Sequence, residues 1–189
     1  MFLGGTVVSH PNRAQVAVCG HKWWQEFYVQ RPEHQRNPSG SCFVVDLDKP
    51  NETPVAIFPL SESSQIGLQI QQNTYYYSHS MSGFSAAFTP SGESLLLGAP
   101  GFYQWRGTFL ETEAIPLGIN GLLKERFVLN QRSTASESYV GYSLTTGHFL
   151  SGYSSSVALG APRDKNYRGK VYIYNYGSNH VFNDIEGTQ

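Results

Sequence analysis

Two stretches of the sequence, Gly83-Phe84-Ser85-Ala86-Ala87-Phe88 and Gly141-Tyr142-Ser143, begin copies of one pattern that decides the fold. In each copy an apolar run ends in the same tripeptide, at Gly98-Ala99-Pro100 and at Gly160-Ala161-Pro162. Both copies then close with a glycine and a strand-like segment, and they are offset by about 60 residues. A repeat of this length indicates a stacked or radial architecture, and it suits a four-stranded propeller blade with long loops.

The interior of each copy consists of short strands and tight turns. Ser94-Leu95-Leu96-Leu97 is an apolar run typical of a strand that is buried on both faces. Lys170-Val171-Tyr172-Ile173-Tyr174 alternates between two faces, as a half-buried strand does. One helical candidate, residues 121–129, is short and flanked by glycine, and we expect a loop there. Because helices do not alternate with strands, the pattern predicts an all-β fold rather than a parallel α/β sheet.

A third, degenerate copy begins at Leu3-Gly4-Gly5. Its apolar strand is Val16-Ala17-Val18-Cys19-Gly20-His21, and its closing strand is Ser41-Cys42-Phe43-Val44-Val45-Asp46. A polar insertion, residues 25–39, separates the two and is expected to form an exposed loop. Three such units cannot close a ring, so we expect unpaired outer strands and marginal stability for the isolated chain.

The composition excludes several classes of function. With 13 Lys and Arg against 14 Asp and Glu in 189 residues, the formal net charge is −1, which provides no positive field for nucleic acid. No stretch approaches the roughly 20 apolar residues of a membrane span, and the N-terminus lacks the features of a signal peptide. Two cysteines and the glycosylation sequence Asn51-Glu52-Thr53 are nevertheless typical of extracellular domains. We therefore expect a fragment of a longer, secreted-type precursor.

The sequence offers no catalytic arrangement. Its six histidines are scattered, and none stands at metal-binding spacing from another His, Cys or carboxylate. Ser85 and Ser143 lack the context of a nucleophile elbow, and no glycine-rich phosphate loop precedes a helix. We predict that the chain is not an enzyme.

The repeated Gly-aromatic-Ser openings and Gly-Ala-Pro tripeptides, in matching register, resemble the FG-GAP repeats of integrin alpha subunits. The resemblance covers essentially the whole chain. It implies part of a seven-bladed β-propeller, with about three four-stranded blades. Residues 1–60 resemble the second blade, residues 61–120 the third, and residues 121–189 the fourth, running into the next repeat. The loops are closer to those of invertebrate subunits and of subunits that do not recognise Arg-Gly-Asp.

The resemblance implies the extracellular ligand-binding head of a cell-adhesion receptor alpha subunit. Such a head pairs with an integrin beta subunit, binds extracellular matrix or cell-surface protein ligands, and supports signalling. It would lie at the cell surface, held by a C-terminal membrane span that this chain lacks. Two alternatives remain open: a propeller attached to a secreted hydrolase, and a stand-alone module that binds carbohydrate or protein.

The resemblance also implies two covalent features. Cys19 and Cys42 would form a disulfide that closes the polar insertion, worth about 3 kcal/mol in the chain-entropy model. The alternative is a pair of buried thiols in a cytosolic protein. Asn51 would carry a glycan.

The resemblance further implies that ligand contacts come from the loop after the first Gly-Ala-Pro tripeptide, residues 101–107. Tyr103 and Gln104 are expected to face the ligand and Trp105 to pack, since an exposed Tyr/Trp/Arg cluster has the composition of a binding hot spot. The alternative is that Phe102 and Trp105 only fill space between blades.

A second ligand loop is expected between the third and fourth blades, at residues 128–138. Receptors for Arg-Gly-Asp carry an aspartate in this loop, which binds the ligand arginine through charge-assisted hydrogen bonds. Here the loop has no aspartate, and its candidate ligand residues are Arg132 and Glu137. We therefore expect no recognition of Arg-Gly-Asp.

The beta subunit of an integrin inserts a basic side chain into a cup of aromatic rings, where it gains cation–π energy. The matching rings are Phe84 and Tyr142, each beside an opening glycine, and Trp23 or Trp24 would join them from the second blade. Phe84 and Tyr142 can belong to the core at the same time.

Calcium in integrin propellers is bound by loops rich in Asp and Asn, because Ca²⁺ requires six to eight oxygen ligands. The equivalent loops here are poor in carboxylates: residues 147–154 have none, and residues 89–93 have only Glu93. We predict no metal in this segment and expect the calcium-binding blades downstream of Gln189.

Overall fold

The computed structural model describes residues 2–28, 34–59, 69–71, 74–113, 123–126, 137–149, 155–175 and 181–188. These residues form three four-stranded antiparallel sheets and two two-stranded hairpins. Sheet 1 contains β1 (Thr6–Ser9), β2 (Gln15–Gly20), β5 (Ser41–Asp46) and β6 (Val55–Ile57), and hairpin β3 (Gln25–Tyr28) with β4 (His34–Asn37) is inserted between β2 and β5. Hairpin β7 (Gln69–Gln71) with β8 (Thr74–Tyr75) precedes sheet 2.

The second and third sheets each follow simple chain order. Sheet 2 contains β9 (Ser85–Phe88), β10 (Ser94–Ala99), β11 (Thr108–Glu113) and β12 (Leu123–Arg126). Sheet 3 contains β13 (Ser143–Gly147), β14 (Ser156–Ala161), β15 (Lys170–Asn175) and β16 (Val181–Glu186). Two four-residue helical segments, α1 (Phe102–Trp105) and α2 (Asp164–Tyr167), join the second and third strands of these sheets.

Two sequence-based expectations for loops are wrong. Residues 123–126 are a strand rather than a loop, because they pair with β11 and complete sheet 2. Within the polar insertion, β3 and β4 pair along four rungs from Gln25–Asn37 to Tyr28–His34, which satisfies backbone groups that a loop would leave to water. Its polar composition concealed this pairing.

The strand registers of the three sheets match. In each sheet the first residue of the first strand pairs with the penultimate residue of the second strand. That residue also pairs with the second residue of the third strand. These three rungs are Thr6–Cys19–Cys42, Ser85–Gly98–Phe109 and Ser143–Gly160–Val171. The three sequence copies are therefore equivalent structural units.

The leucine run of β10 is buried on both faces, as its sequence predicts. Leu95, Leu96 and Leu97 are all 0% exposed. Leu95 and Leu97 pack with the buried side chains of sheet 1, and Leu96 packs with those of sheet 3. Sheet 2 thus stands between two cores and contributes to each.

Backbone hydrogen bonds join each sheet to the next, through a contact that we call the opening contact. The two residues before each opening glycine donate their N–H groups to the segment that precedes the closing glycine of the previous sheet. The four bonds run from Met81 to Pro38 (3.0 Å), Ser82 to Ser39 (2.9 Å), Tyr139 to Trp105 (3.0 Å) and Val140 to Arg106 (3.1 Å). The opening contact therefore occurs twice in the described part of the chain.

Candidate functional site

The loops that follow the two Gly-Ala-Pro tripeptides share an unusual left-handed turn. In α1 the backbone φ angles are 44° at Tyr103, 58° at Gln104 and 62° at Trp105. In α2 Lys165, Asn166 and Tyr167 have φ angles of 52°, 56° and 67°. Left-handed geometry costs an L-residue about 1–2 kcal/mol, and such strain concentrates at functional sites. Both loops are therefore candidates for binding.

The first of these loops is anchored by a buried ring and presents polar atoms outward. Phe102 is 2% exposed, and its ring centroid lies 4.7 Å from that of Tyr77. The Tyr103 ring is half-buried and stacks on Tyr76 at 4.6 Å, while Gln104 is exposed. Phe102 thus fills space in the core, and Tyr103 and Gln104 lie at the surface that it supports.

The Arg106 guanidinium lies over the Tyr103 ring, 4.9 Å from its centroid. Trp105 is half-buried, and its ring lies 5.3 Å from Tyr139, a residue of the segment that leads into sheet 3. Trp105 therefore connects the first loop to the next structural unit.

Arg163 is the centre of a second cluster beside Trp105. Its guanidinium donates to the hydroxyl groups of Tyr139 at 3.1 Å and Tyr167 at 3.0 Å, and to the carboxylate of Glu137 at 3.0 Å. The guanidinium also lies over both tyrosine rings, at 5.1 and 4.9 Å. Hydrogen bonds with Tyr167 and Tyr139 raise the pKa of Arg163 above its ordinary value. Of the two ligand residues predicted in this region, Glu137 therefore has its carboxylate paired, and Arg132 lies outside the described residues.

Together these side chains form what we call the aromatic–arginine strip, which contains Tyr103, Trp105, Arg106, Tyr139, Arg163 and Tyr167. Sequence reasoning found its first half and missed Tyr139, Arg163 and Tyr167. A signal for them existed, because both loops have the same length between Gly-Ala-Pro and the closing glycine.

The predicted beta-subunit residues Phe84 and Tyr142 lie side by side, with ring centroids 4.6 Å apart. His21 extends this row on the other side of Phe84, at 4.9 Å, and the sequence analysis did not include it. Tyr142 is 48% exposed, so the row reaches the surface. Burial, together with the charge of Lys22, lowers the pKa of His21, which favours its neutral form.

Trp23 has a different neighbour. Its ring packs against Phe58, with centroids 4.7 Å apart. Trp24 is 45% exposed and lies beneath the guanidinium of Arg36, at 4.5 Å. The structure thus brings together Phe84 and Tyr142 but places Trp23 against another part of sheet 1.

Cys19 and Cys42 form the disulfide that the resemblance implies. They lie opposite each other in β2 and β5, with Cα atoms 4.1 Å apart, and both are fully buried. The disulfide also touches the next structural unit, because a Cβ atom on Gly83 would lie only 2.6 Å from the Cys42 Sγ atom. Asn51 lies in an exposed turn, where a glycan has room.

A buried polar pair holds the second loop in place of the aromatic anchor of the first. The Tyr172 hydroxyl donates to the Asp164 carboxylate at 2.5 Å, and Asp164 is 5% exposed. Burial and this hydrogen bond both raise the pKa of Tyr172, which therefore remains protonated. The Asp164 carboxylate also accepts from the backbone N–H of Lys165 at 2.7 Å, which fixes the start of the left-handed turn.

The described part of the chain contains no group of three or more His, Cys, Asp or Glu side chains that could hold a metal ion. Residues 150–154 of the loop equivalent to a calcium-binding loop lie outside it. Within the same described ranges, no helix is long and apolar enough to cross a bilayer.

Comparison with known proteins identifies relatives of the chain. Integrin alpha-PS2 of Drosophila melanogaster is 27% identical over 100% of this chain, and integrin alpha-4 of Xenopus laevis is 26% identical over 93%. Integrin alpha-2 of Bos taurus is 32% identical over 70% of the chain. The chain spans only 10–16% of the length of these curated relatives. No protein-family model matches it. These matches confirm the resemblance to integrin alpha subunits, and with the three four-stranded sheets they identify a β-propeller fragment.

Proposed function

We propose, from its relationship to the integrin alpha subunits, that this chain is part of the extracellular ligand-binding head of an adhesion-receptor alpha subunit. The relatives are non-enzymatic adhesion receptors, in agreement with the prediction that the chain is not an enzyme. The head pairs with an integrin beta subunit and binds a matrix or cell-surface protein at the cell surface. In the complete protein a membrane span outside this chain anchors it, and calcium binds in other blades.

The aromatic–arginine strip is the observation that carries the ligand-binding proposal. It combines Tyr, Trp and Arg side chains, which dominate binding energy at protein interfaces, on two loops with the same left-handed backbone. The exposed Gln104 and the half-buried Tyr103 supply the first contacts. Glu137 and Arg163 form an ion pair, so this part of the strip offers a protein ligand aromatic surface and hydrogen bonds.

The row of His21, Phe84 and Tyr142 supports the pairing proposal. A basic side chain of a beta subunit would bind over the exposed face of Tyr142, where cation–π attraction adds to burial. Trp23, which packs against Phe58, stays a prediction as a third residue of this interface.

Co-purification tests the pairing. The chain is expressed on cells within its full-length protein and precipitated with candidate integrin beta subunits in the presence of divalent cations. We expect a stoichiometric complex that is lost when Phe84→Ala is combined with Tyr142→Ala. Phe149→Ala, another exposed aromatic residue (45%), is the matched control and should leave the complex intact. Surface expression without any beta partner would instead favour a stand-alone binding module or a propeller attached to a hydrolase.

Cell adhesion tests the ligand surface separately. Gln104→Ala and Tyr103→Ala should reduce adhesion to the cognate ligand without loss of the beta subunit, since neither residue lies in the row of Phe84 and Tyr142. Leu47→Ala, at an exposed position in the turn after β5, is the control. Normal adhesion by both loop variants would remove the strip from the ligand site.

A further inference from the structure

A groove of about 320 Å³ lies on one face of sheet 1, at the end where β5 turns back towards β6. Four of its residues form two rungs of the sheet, with Gln15 opposite Asp46 and Val44 opposite Val55. The turns that flank these rungs provide the other lining residues, Arg13, Lys49, Glu52 and Thr53. The volume is at the lower end of the roughly 300–1,000 Å³ of small-molecule sites, so the groove fits one compact chemical group.

The groove carries balanced charge. Arg13 and Lys49 supply two positive charges, and Asp46 and Glu52 supply two negative charges. Lys49 and Glu52 already pair, with the Nζ atom 3.2 Å from Oε1. The two basic groups disfavour a metal cation, and the two carboxylates disfavour a phosphate. The balance of charge therefore favours an uncharged polar ligand.

Three polar groups of the groove have hydrogen-bonding capacity left over. The Gln15 amide nitrogen donates to the Asp46 Oδ2 atom at 3.4 Å, and because a carboxylate only accepts, this contact fixes the orientation of the amide. The Gln15 Oε1 atom is then buried without a hydrogen-bond partner among the described residues. The Arg13 guanidinium and the Thr53 hydroxyl likewise bond to no described side chain or backbone group. The groove thus offers an acceptor, a set of donors and a group that does both.

This combination of groups matches the chemistry of a sugar ring. A sugar hydroxyl both donates and accepts hydrogen bonds. Neighbouring hydroxyls can therefore satisfy the Gln15 oxygen and the Arg13 guanidinium together. Val44 and Val55 add apolar surface for the C–H face of the ring. A ligand without several hydroxyl groups would leave the Gln15 oxygen or the Arg13 donors unpaired.

We propose that this groove binds one sugar residue of a neutral glycan. The sugar hydroxyls accept from the Arg13 guanidinium and donate to the Gln15 amide oxygen, and the Thr53 hydroxyl adds a third contact. The groove shares no residue with the aromatic–arginine strip or with the row of His21, Phe84 and Tyr142. The proposal is therefore independent of the receptor function.

Two sources can supply the sugar: a glycan on another molecule, and a glycan on this chain. Asn51 lies in an exposed turn, and the other two residues of its glycosylation sequence, Glu52 and Thr53, both line the groove. A sugar attached to Asn51 would thus begin beside the groove. Asn51→Gln separates the two sources, because it removes the attached glycan and leaves the groove residues in place.

A printed array of neutral, sialylated and sulfated glycans tests the proposal with the full-length protein that contains this chain. We expect the wild type or Asn51→Gln to bind neutral glycans that end in one type of sugar. Binding by the wild type would identify a glycan on another molecule as the ligand, and binding only by Asn51→Gln would identify the chain's own glycan. No binding by either protein, or binding confined to charged glycans, overturns the proposal.

Two substitutions in the form that binds test whether the sugar occupies the groove. Gln15→Leu removes the buried acceptor, Arg13→Ala removes the unpaired donors, and each should weaken binding about tenfold or more. Arg36→Ala, at another exposed arginine, is the matched control and should bind normally. Circular dichroism checks that each variant keeps its strand content. Normal binding by Gln15→Leu or by Arg13→Ala overturns the proposal.

Hydrogen exchange gives a test that requires no substitution in the groove. The glycan selected on the array is added to the form that binds it, and mass spectrometry follows the exchange of backbone amides. Exchange in residues 47–53 should slow, because the bound sugar restrains the turn beside the groove, whereas exchange in residues 101–107 should not change. Unaltered exchange in residues 47–53 at saturating glycan would place the sugar elsewhere and overturn the proposal.

Discussion

The two loops after Gly-Ala-Pro have the same backbone and different anchors. Residues 103–105 and 165–167 all lie in the left-handed region, and both loops close on a glycine with φ near +80°. At equivalent positions the first loop buries Phe102 in an apolar core, and the second buries Asp164 on the hydroxyl of Tyr172. The turn is therefore specified by its length and its terminal glycine, and the buried side chain is free to differ between copies.

The largest effect should come from removing the aromatic anchor of the first loop. Phe102→Ala leaves a cavity between Tyr77 and the core of sheets 1 and 2, and it should lower the free energy of unfolding by about 3–5 kcal/mol. Urea denaturation followed by circular dichroism measures the change. Phe149→Ala, at an exposed ring, should cost far less. Equal losses in the two variants would show that Phe102 is not an anchor.

The closing glycines should differ next, although their backbone angles are the same. Alanine at either Gly107 or Gly169 incurs about 1–2 kcal/mol for the left-handed conformation. At Gly107 the added Cβ would also lie 2.1 Å from the Val140 carbonyl oxygen, whereas at Gly169 the nearest atom is 3.5 Å away. We expect Gly107→Ala to destabilise by about 1–3 kcal/mol more than Gly169→Ala.

Urea denaturation of the two variants measures the difference. Equal losses of stability in the two variants would mean that the backbone at Val140 moves to accommodate the added methyl group with no loss of free energy.

A comparable effect should follow from breaking the polar anchor of the second loop. Tyr172→Phe removes the hydroxyl that donates to Asp164, and the buried carboxylate loses a partner, at a cost of about 1–3 kcal/mol. Tyr142→Phe, at an exposed tyrosine, is the control. If Tyr172→Phe were neutral in urea denaturation, the anchor would be the aromatic ring of Tyr172 rather than its hydroxyl group, and the two loops would be held alike.

The smallest effect is a pH dependence of the free energy of unfolding to which His21 contributes. The pKa of His21 is lower in the folded than in the unfolded state, because burial and Lys22 disfavour its protonation. Below about pH 6.5 the unfolded state therefore binds more protons, and stability should fall as the pH falls from 7 to 5. Tyr172, whose pKa is raised, stays protonated over this range.

His21→Phe should lessen this loss of stability between pH 7 and pH 5, as urea titrations at the two pH values would measure. Phe149→Ala, at an exposed ring, should leave the slope with pH unchanged. An unaltered slope in His21→Phe would assign the acid sensitivity to other groups.

The sequence predicted those features that depend on local pattern. The repeated glycines and Gly-Ala-Pro tripeptides predicted equivalent units, and the leucine run 95–97 predicted a strand with two buried faces, because burial on both sides requires an uninterrupted apolar run. The strand at 123–126, whose sequence Leu-Lys-Glu-Arg has no strand-like alternation, is fixed by its pairing with β11 and not by its own residues.

The candidate site was only half predictable for a related reason. Tyr103, Gln104 and Trp105 stand out by composition, whereas Arg163 acquires its role from three-dimensional position. It meets Glu137 and Tyr139 from a distant part of the sequence. It meets Tyr167 across a left-handed turn that contains no glycine to predict this conformation. His21 joins Phe84 across a sheet boundary, which one copy of the repeat cannot reveal.

The position of β10 between two cores has a consequence for how the molecule opens. Its three leucines alternate between the core on the side of sheet 1 and the core on the side of sheet 3, so local loss of this strand would disrupt both. The amide protons of β10 should therefore exchange with solvent only through global unfolding. The amide protons of β1 and β16, which are edge strands of sheets 1 and 3, should exchange through smaller openings. Among these three strands, β10 should therefore exchange most slowly.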